Sequence, residues 1–470
     1  MDGLCHETEK IIENHLRRRG IWKDEKLWEV GKSRFSGRGV YATRDIQPGE
    51  IIFVDSPVIL GPRAIPENTC VSCYNDTNIV LCPMSCGLYL CPSCLDGDKH
   101  SQECAKINSW KTEKSFVTDR MMICLAPIRS LFLDDSDRES ISMLEAHREP
   151  QHGIEVDLMK KKMLLELCDE EENWIRLTCA VLDANSFEVL PKTGPTLRGL
   201  FPLSSLLNHS CVPNVMHVFD EDHHMILKAA KPIKKGEEIF LTYSRILWCT
   251  LSRRTHLLRT KHFACECPRC HDPTEFGTNL SAMLCESCSG FVLPKNPLIF
   301  NGVWTCNSCD RQVEESKIAF IMSVLAKRFS DVDEDHMKSF DLFRSKSEKI
   351  IPKCNQVSLE FMYRTIWILG GAELSDEHFQ IKGECLKYVL DVLMKLDVGA
   401  SKMRGLLLHE LYKCQKELIS RGIVMDEKFN EDEILEEAAE IYMFDVSAPE
   451  IIKNVWKKKN LSTDWNDYFF

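Results

Sequence analysis

Of the 23 cysteines in this 470-residue chain, fifteen lie in or near motifs between Cys70 and Cys309, most of them as pairs or triples separated by one to three residues. In a large chain with no secretion signal, thiols at such spacing suit metal ligation rather than disulfides. Four thiolate or imidazole donors close a tetrahedral shell around Zn2+. The first cluster holds Cys70, Cys73, Cys82, Cys86, Cys91, Cys94, His100 and Cys104. Seven thiols and one imidazole make two shells, and a cross-braced pairing is expected. Cys70, Cys73, Cys91 and Cys94 would hold one ion, and Cys82, Cys86, His100 and Cys104 the other. The 35 residues from Cys70 to Cys104 carry few large apolar side chains, so metal binding would supply the folding energy.

The second cluster, Cys265, Cys267 and Cys270 in CECPRC, has three thiols and needs a fourth ligand from elsewhere. The third, Cys285, Cys288, Cys306 and Cys309, has the spacing of a zinc ribbon. Its two CxxC knuckles lie 17 residues apart, and Val303 and Trp304 are expected to form a strand into the second. The other eight cysteines read as small core residues.

Composition sets what these sites sit in. The formal charge is −12, shared evenly between residues 1–310 and 311–470, and four filled zinc sites take it to about −19. Such a surface repels a phosphate backbone, so direct specific DNA binding is not expected. Length and a 44% hydrophobic content allow two to four domains. The opening MDGLCHETEKIIENHL has no apolar signal core, and no run approaches the ~18 apolar residues of a membrane span. A soluble intracellular protein is expected, cytoplasmic, nuclear or both, with no membrane partner.

Residues 28–60 alternate short β-type runs with turns, among them Ser36-Gly37-Arg38-Gly39, a tight turn that lets a ligand approach the backbone. Residues 105–190 read as helical. Short strands return over 196–243 and end in KPIKKGEEIFLTY. Beyond 313 the apolar stripes are helical: Ile318, Ile321 and Leu325; Leu386, Val389, Leu390 and Leu393; Met403, Leu407, Leu411 and Leu418. Six or seven helices packed as an antiparallel array are expected, with the acidic 431–440 stretch as a solvated face.

The sharpest constellation is Asn208-His209-Ser210-Cys211-Val212-Pro213-Asn214 at the end of an apolar run. It is followed some thirty residues on by GEEIFLTY and then by the CxCxxC cluster. With GRGVYA, the PGE turn at 48–50 and NSF at 185–187, the order of motifs resembles SET-domain protein lysine methyltransferases of the SET-and-MYND (SMYD) type. The additional ribbon resembles the arthropod SmydA-like branch. The resemblance implies an α+β multidomain fold. A β-rich SET domain (25–69 and 196–248) would be split by a MYND zinc module (70–104) and a helical insert (105–195). A post-SET zinc site (249–275), the CxxC ribbon (276–312) and an all-α tetratricopeptide-like array (313–470) would follow.

It further implies S-adenosylmethionine as methyl donor, three structural zinc ions with a fourth in the ribbon, and a protein substrate presenting lysine. Gly37, Arg38 and Gly39 would sit against the donor. Asn208 and His209 would bind it through side-chain and backbone groups, Asn185 would support the pocket, and Phe263 would stack on adenine. Cys211 would complete the shell of Cys265, Cys267 and Cys270. Tyr243, at the inner end of the lysine channel and also beside the donor, would align the reacting amine, with Phe187 as an aromatic wall. A second channel aromatic is usual two residues before the adenine-stacking Phe, and here that position is Lys261. That departure motivates an alternative: a catalytically weak or silent scaffold that binds proline-rich partners through its MYND module in transcriptional regulation.

Overall fold

The computed structural model describes residues 2–35, 37–64, 69–95, 97–146, 153–191, 194–330, 349–369, 375–423 and 430–469. Ser36 of the glycine turn and residues 331–348 of the helical region lie outside the described residues. The strand Trp28–Lys32 turns Trp28 and Val30 inward and Glu29 outward, and pairs antiparallel with Arg38–Ala42. Gly37 closes the connection at φ +50°, a conformation that glycine adopts without a Cβ penalty.

A second sheet runs Val215–Phe219, Met225–Ala229, Ile51–Asp55, all antiparallel. Every residue of Met225–Ala229 is buried, so this sheet is covered on both faces. In a third sheet, Ile59–Pro62 pairs with Leu197–Leu200, which also pairs with Phe187–Val189. Ile59–Pro62 and Leu197–Leu200, on either side of residues 63–196, are thus direct partners, and that segment is inserted into one β framework.

The inserted zinc module has a short hairpin, Val80–Leu81 with Tyr89–Leu90, and a helix, Asp98–Ser109. It does not depend on metal alone. Val71, Leu88, Leu90, Ile107 and Trp110 share a core with Met121, Leu125, Ile128, Val156, Met159 and Ile175 of the following helices. The long helix Asp169–Asn185 opens with four acidic residues, Asp169 to Glu172, which favours its N-terminal dipole. Arg129 ties module to sheet: it donates to Glu103 Oε1 (2.7 Å), to the Val71 carbonyl (2.9 Å), to the Tyr74 hydroxyl (3.1 Å) and to the Leu60 carbonyl.

The helix Asp2–Arg18, absent from the sequence expectations, packs its buried Cys5, Thr8, Ile12 and Leu16 against the first hairpin and the Asp135–Ser142 helix. Its stripe was legible at i, i+3 and i+4 spacing, but eleven of its seventeen residues are polar or charged.

The ribbon is a four-stranded antiparallel sheet in chain order, Met283–Leu284, Phe291–Pro294, Val303–Cys306 and Gln312–Glu314. After it come the helices Glu315–Ser330, Gln356–Ile368, Asp376–Lys395, Lys402–Ser420, Glu431–Tyr442 and Glu450–Lys458, and a short one at Asn466–Phe469. Asn355, Ser375, Ser401 and Asn430 cap four of them with side-chain oxygens that accept backbone N–H groups. From Gln356 onward each of the longer helices packs on the next, and Leu386, Val389, Leu390, Leu393, Leu407, Leu411 and Leu418 are buried. Part of the acidic 431–440 face is paired, Glu431 with Lys416 and Glu437 with Arg404. The array docks on the second sheet: Lys228 is 4% exposed and donates to the carbonyls of Glu440 (2.9 Å) and Ile441 (3.2 Å). Burial lowers the pKa of this ammonium to about 8. Among the described residues no helix is long and apolar enough to cross a membrane.

Replacing Arg129 by Met leaves Glu103, 4% exposed, without its ion-pair partner. A loss of about 3–5 kcal/mol is expected, read as a lowered denaturation midpoint with early proteolysis in the zinc module.

Candidate functional site

The sixteen predicted ligands gather into four quartets: Cys70, Cys73, Cys91, Cys94; Cys82, Cys86, His100, Cys104; Cys211, Cys265, Cys267, Cys270; and Cys285, Cys288, Cys306, Cys309. The ligand atoms of each quartet lie within 4.8 Å of one another. A zinc–sulfur bond of ~2.3 Å implies a tetrahedral S···S edge of ~3.8 Å. The observed edges fit: 3.7 Å for Cys73–Cys91, 3.8 Å for Cys82–Cys104, 3.8 Å for Cys211–Cys265 and 3.7 Å for Cys285–Cys309. These separations are far beyond a disulfide's ~2.05 Å, and the cysteines are free. The quartets fit four closed, structural zinc shells.

The third quartet is the one that touches the site, and its surroundings are built around charge. Arg253 donates to Glu275 Oε2 (2.6 Å) and to Cys270 Sγ (3.6 Å), and Arg269 donates to Glu275 Oε2 (3.1 Å) and to the Ile246 carbonyl (2.8 Å). Arg254 donates to the Cys265 carbonyl at 3.0 Å. All four charged groups are buried. A zinc tetrathiolate carries two negative charges and Glu275 a third, and the three arginines match them.

Cys211 extends this cluster into the Asn208–Asn214 loop. The short strand Asn208–His209 pairs in parallel with Phe240–Leu241. On its other side the 238–240 segment meets the first hairpin, through a Tyr41–Glu238 bridge and the Ile239 N–H donating to the Val40 carbonyl (2.7 Å). His209 Nδ1 accepts the Tyr243 backbone N–H at 2.9 Å. That fixes the proton on Nε2, which faces Cys211 Sγ at 3.3 Å as a donor to the thiolate. The imidazole is therefore wedged between a zinc ligand and Tyr243.

Tyr243, His209 and Phe263 form an aromatic trio, with ring centroids 5.3 Å apart for His209–Tyr243, 5.8 Å for His209–Phe263 and 6.5 Å for Tyr243–Phe263. The Tyr243 hydroxyl donates to the Leu207 carbonyl. Burial, helped by the charge of Glu238, pushes its pKa up, so the phenol stays protonated through the neutral range. Phe263 reaches the trio because the Thr250–Lys261 helix ends at His262 in the left-handed conformation (φ +59°), which reverses the chain.

Other predicted residues are placed differently. Asn208 Nδ2 donates to the Arg38 carbonyl (2.9 Å) and to Glu238 Oε1 (2.8 Å), so this amine serves the framework. The Arg38 guanidinium turns away, donating to Thr8 Oγ1 (2.7 Å) and to the Met143 carbonyl (2.5 Å); only its backbone reaches Asn208. Gly39 is required by close approach, since a Cβ there would lie 2.3 Å from Glu238 Oε1. Gly37 is exposed and has open space where a Cβ would stand. Asn185 Nδ2 donates to the carbonyls of Glu145 and Val181, both at 2.8 Å. Phe187 packs edge-on against Phe201 and His217, and no ring contact joins it to Tyr243.

Two residues of the site were not singled out from sequence. Glu238 accepts from Asn208, from Ser33 Oγ (3.1 Å) and from the Tyr41 hydroxyl (3.3 Å). Asn214 clamps the same segment, donating to the Glu238 carbonyl (2.9 Å) and accepting the Phe240 N–H (2.8 Å). Both sit inside the two motifs that drew attention and bond one motif to the other, with Ser33 and Tyr41 of the first hairpin as further partners of Glu238. Lys261 reaches across the site: its Nζ donates to the Ala184 carbonyl at 2.6 Å and lies 5.7 Å from the Tyr243 ring centre.

Zinc analysis of the purified protein is expected to give four ions per chain. Cys211→Ala should give three, with a thermal midpoint lowered and the near-ultraviolet signal of the Tyr243 trio altered. Unchanged zinc content would remove Cys211 from the shell.

A family model described as the SET domain matches residues 37–244. SET domain-containing protein SmydA-8, isoform B, of Drosophila melanogaster is 31% identical over 436 residues, covering 87% of this chain and 96% of that protein. Histone-lysine N-methyltransferase ASHR1 of Arabidopsis thaliana is 27% identical and covers 69% of this chain and 74% of its own length. Histone-lysine N-methyltransferase SMYD3 of Homo sapiens is 26% identical over 50% of this chain and 59% of its own. With four zinc quartets, an interrupted β framework and a similarity that spans nearly the whole chain, this protein belongs to the SET-domain family of the SET-and-MYND type, in its SmydA branch.

Proposed function

We propose that the chain transfers methyl groups from S-adenosylmethionine to lysine side chains of proteins. The observation that carries this reading is the half-buried Tyr243 phenol, held beside His209 and Phe263 and bonded to the Leu207 carbonyl. The two relatives named histone-lysine N-methyltransferases support it. The residues present suit the donor: Gly37 leaves open backbone, the half-buried Phe263 ring offers a stacking face, and the ring faces of the trio favour a sulfonium cation.

Transfer is a direct displacement. A neutral lysine amine attacks the methyl carbon, the carbon–sulfur bond breaks, and sulfur keeps the electron pair as a neutral thioether. No general base is needed beyond loss of one ammonium proton to solvent. The protein's part is to orient the amine and exclude water. A protonated phenol next to a backbone carbonyl does this by holding acceptor lone pairs around the reacting atoms.

Tyr243→Phe is expected to reduce methyl transfer into cell-extract proteins about 100-fold, the scale of one hydrogen-bonding group removed from a reacting centre. Zinc content and donor binding should be retained. Transfer at the wild-type rate would sink the assignment of Tyr243.

A protein-binding reading stands beside this one. Val80, Leu81 and Met84 of the zinc module are exposed (43%, 52% and 67%), an apolar patch suited to an extended proline-rich segment. Leu81→Asp should abolish binding of a proline-rich peptide and leave methyl transfer unchanged. Cytoplasm or nucleus is the proposed location, tested by fractionation.

A further inference from the structure

The side chain that departs most from expectation in this site is held there by two backbone carbonyls. Lys261 closes the Thr250–Lys261 helix, four residues before the zinc ligand Cys265, so its backbone is anchored by metal. Its Nζ donates to the Ala184 carbonyl at 2.6 Å and to the Asp183 carbonyl at 3.3 Å. These carbonyls belong to the last turn of the Asp169–Asn185 helix, whose C-terminal dipole favours a cation. The same nitrogen lies 5.7 Å from the centre of the Tyr243 ring. A lysine amine that is to accept a methyl group needs aligning carbonyls and the neighbourhood of Tyr243. The half-buried Lys261 has both within its own chain.

We propose that Lys261 is a methylation site of this protein, modified in cis by its own Tyr243 centre. The inference rests on the methyltransferase reading above. The Lys261 ammonium first releases a proton to solvent. Its nitrogen lone pair then forms the N–C bond as the methyl–sulfonium bond of S-adenosylmethionine breaks, yielding S-adenosylhomocysteine and a secondary ammonium on Lys261. Burial lowers the pKa of this side chain, against the opposing pull of Asp183, which enlarges the neutral fraction available for attack. Until Lys261 leaves its carbonyls, an incoming lysine meets an occupied position. The chain's own side chain is therefore the first acceptor that the site offers.

The test incubates the full-length, zinc-loaded protein with labelled S-adenosylmethionine, with and without cell extract, and reads the Lys261 peptide by tandem mass spectrometry. The expected result is labelling of Lys261 approaching one methyl per chain, at a fractional rate independent of protein concentration. The label should be lost in Tyr243→Phe and absent from that position in Lys261→Arg. A mixture of Lys261→Arg with tagged Tyr243→Phe should leave the tagged chain unlabelled, as transfer in cis requires. Zinc content and donor binding of both variants show that they are folded. Labelled extract proteins with Lys261 unmodified would overturn the inference and leave the enzyme reading standing. Absence of label from every protein, with donor bound, would overturn both.

Discussion

The thiolate of Cys211 carries two obligations. It completes a zinc shell with Cys265, Cys267 and Cys270, and it accepts a hydrogen bond from His209, whose other nitrogen holds the backbone of Tyr243. A loop of irregular backbone, the least ordered kind of structure on entropic grounds, is thereby fixed at both ends by bonds much stronger than packing. The position of the Tyr243 ring follows from the metal, through one imidazole. Phe263 and Lys261 inherit their places from the same ion, because both lie within four residues of Cys265.

The framework works to the same end at longer range. The 238–241 segment is gripped by the first hairpin on one side and by Asn208–His209 on the other, with Glu238 and Asn214 as polar clamps. Arg129 locks the inserted zinc module onto the third sheet, and Lys228 does the same for the helical array on the second. Arg129 and Lys228 are both cations bonded to carbonyl oxygens, which gives direction to contacts between units that apolar packing alone would leave free to slide.

Much of this was legible in the chain because cysteine spacing and helical stripes are local signals. The cross-braced pairing of the first cluster and the ribbon could be read directly, and Cys211 came from the order of motifs. What stayed hidden depends on partners distant in sequence. Nothing near Arg38 says that its guanidinium will bond to Thr8 and Met143. Nothing in GEEIFLTY separates Glu238, which collects Asn208, Ser33 and Tyr41, from its neighbour Glu237. The zinc module looked self-contained because its stretch is poor in large apolar groups, yet Leu88, Leu90 and Trp110 complete a core supplied by the helices after it. The position of Lys261 was legible as an oddity, while the carbonyls that hold it come from a helix end some 77 residues earlier.

The buried arginines around the third quartet have a consequence for the metal-free protein. With zinc and four thiolates present, Arg253, Arg254 and Arg269 face balanced charge; with the ion gone and the thiols reprotonated, Arg253 and Arg269 would share Glu275 alone in a dry interior and Arg254 would keep only carbonyl partners. Such an arrangement disfavours the empty form, since a buried charge left without its partner costs about 3–5 kcal/mol. Demetallation and collapse of the catalytic corner become a single cooperative event, so intermediate zinc supply would yield a mixture of fully competent and wholly unfolded corners. The metal sets how many molecules work, and leaves unaltered how well each one does.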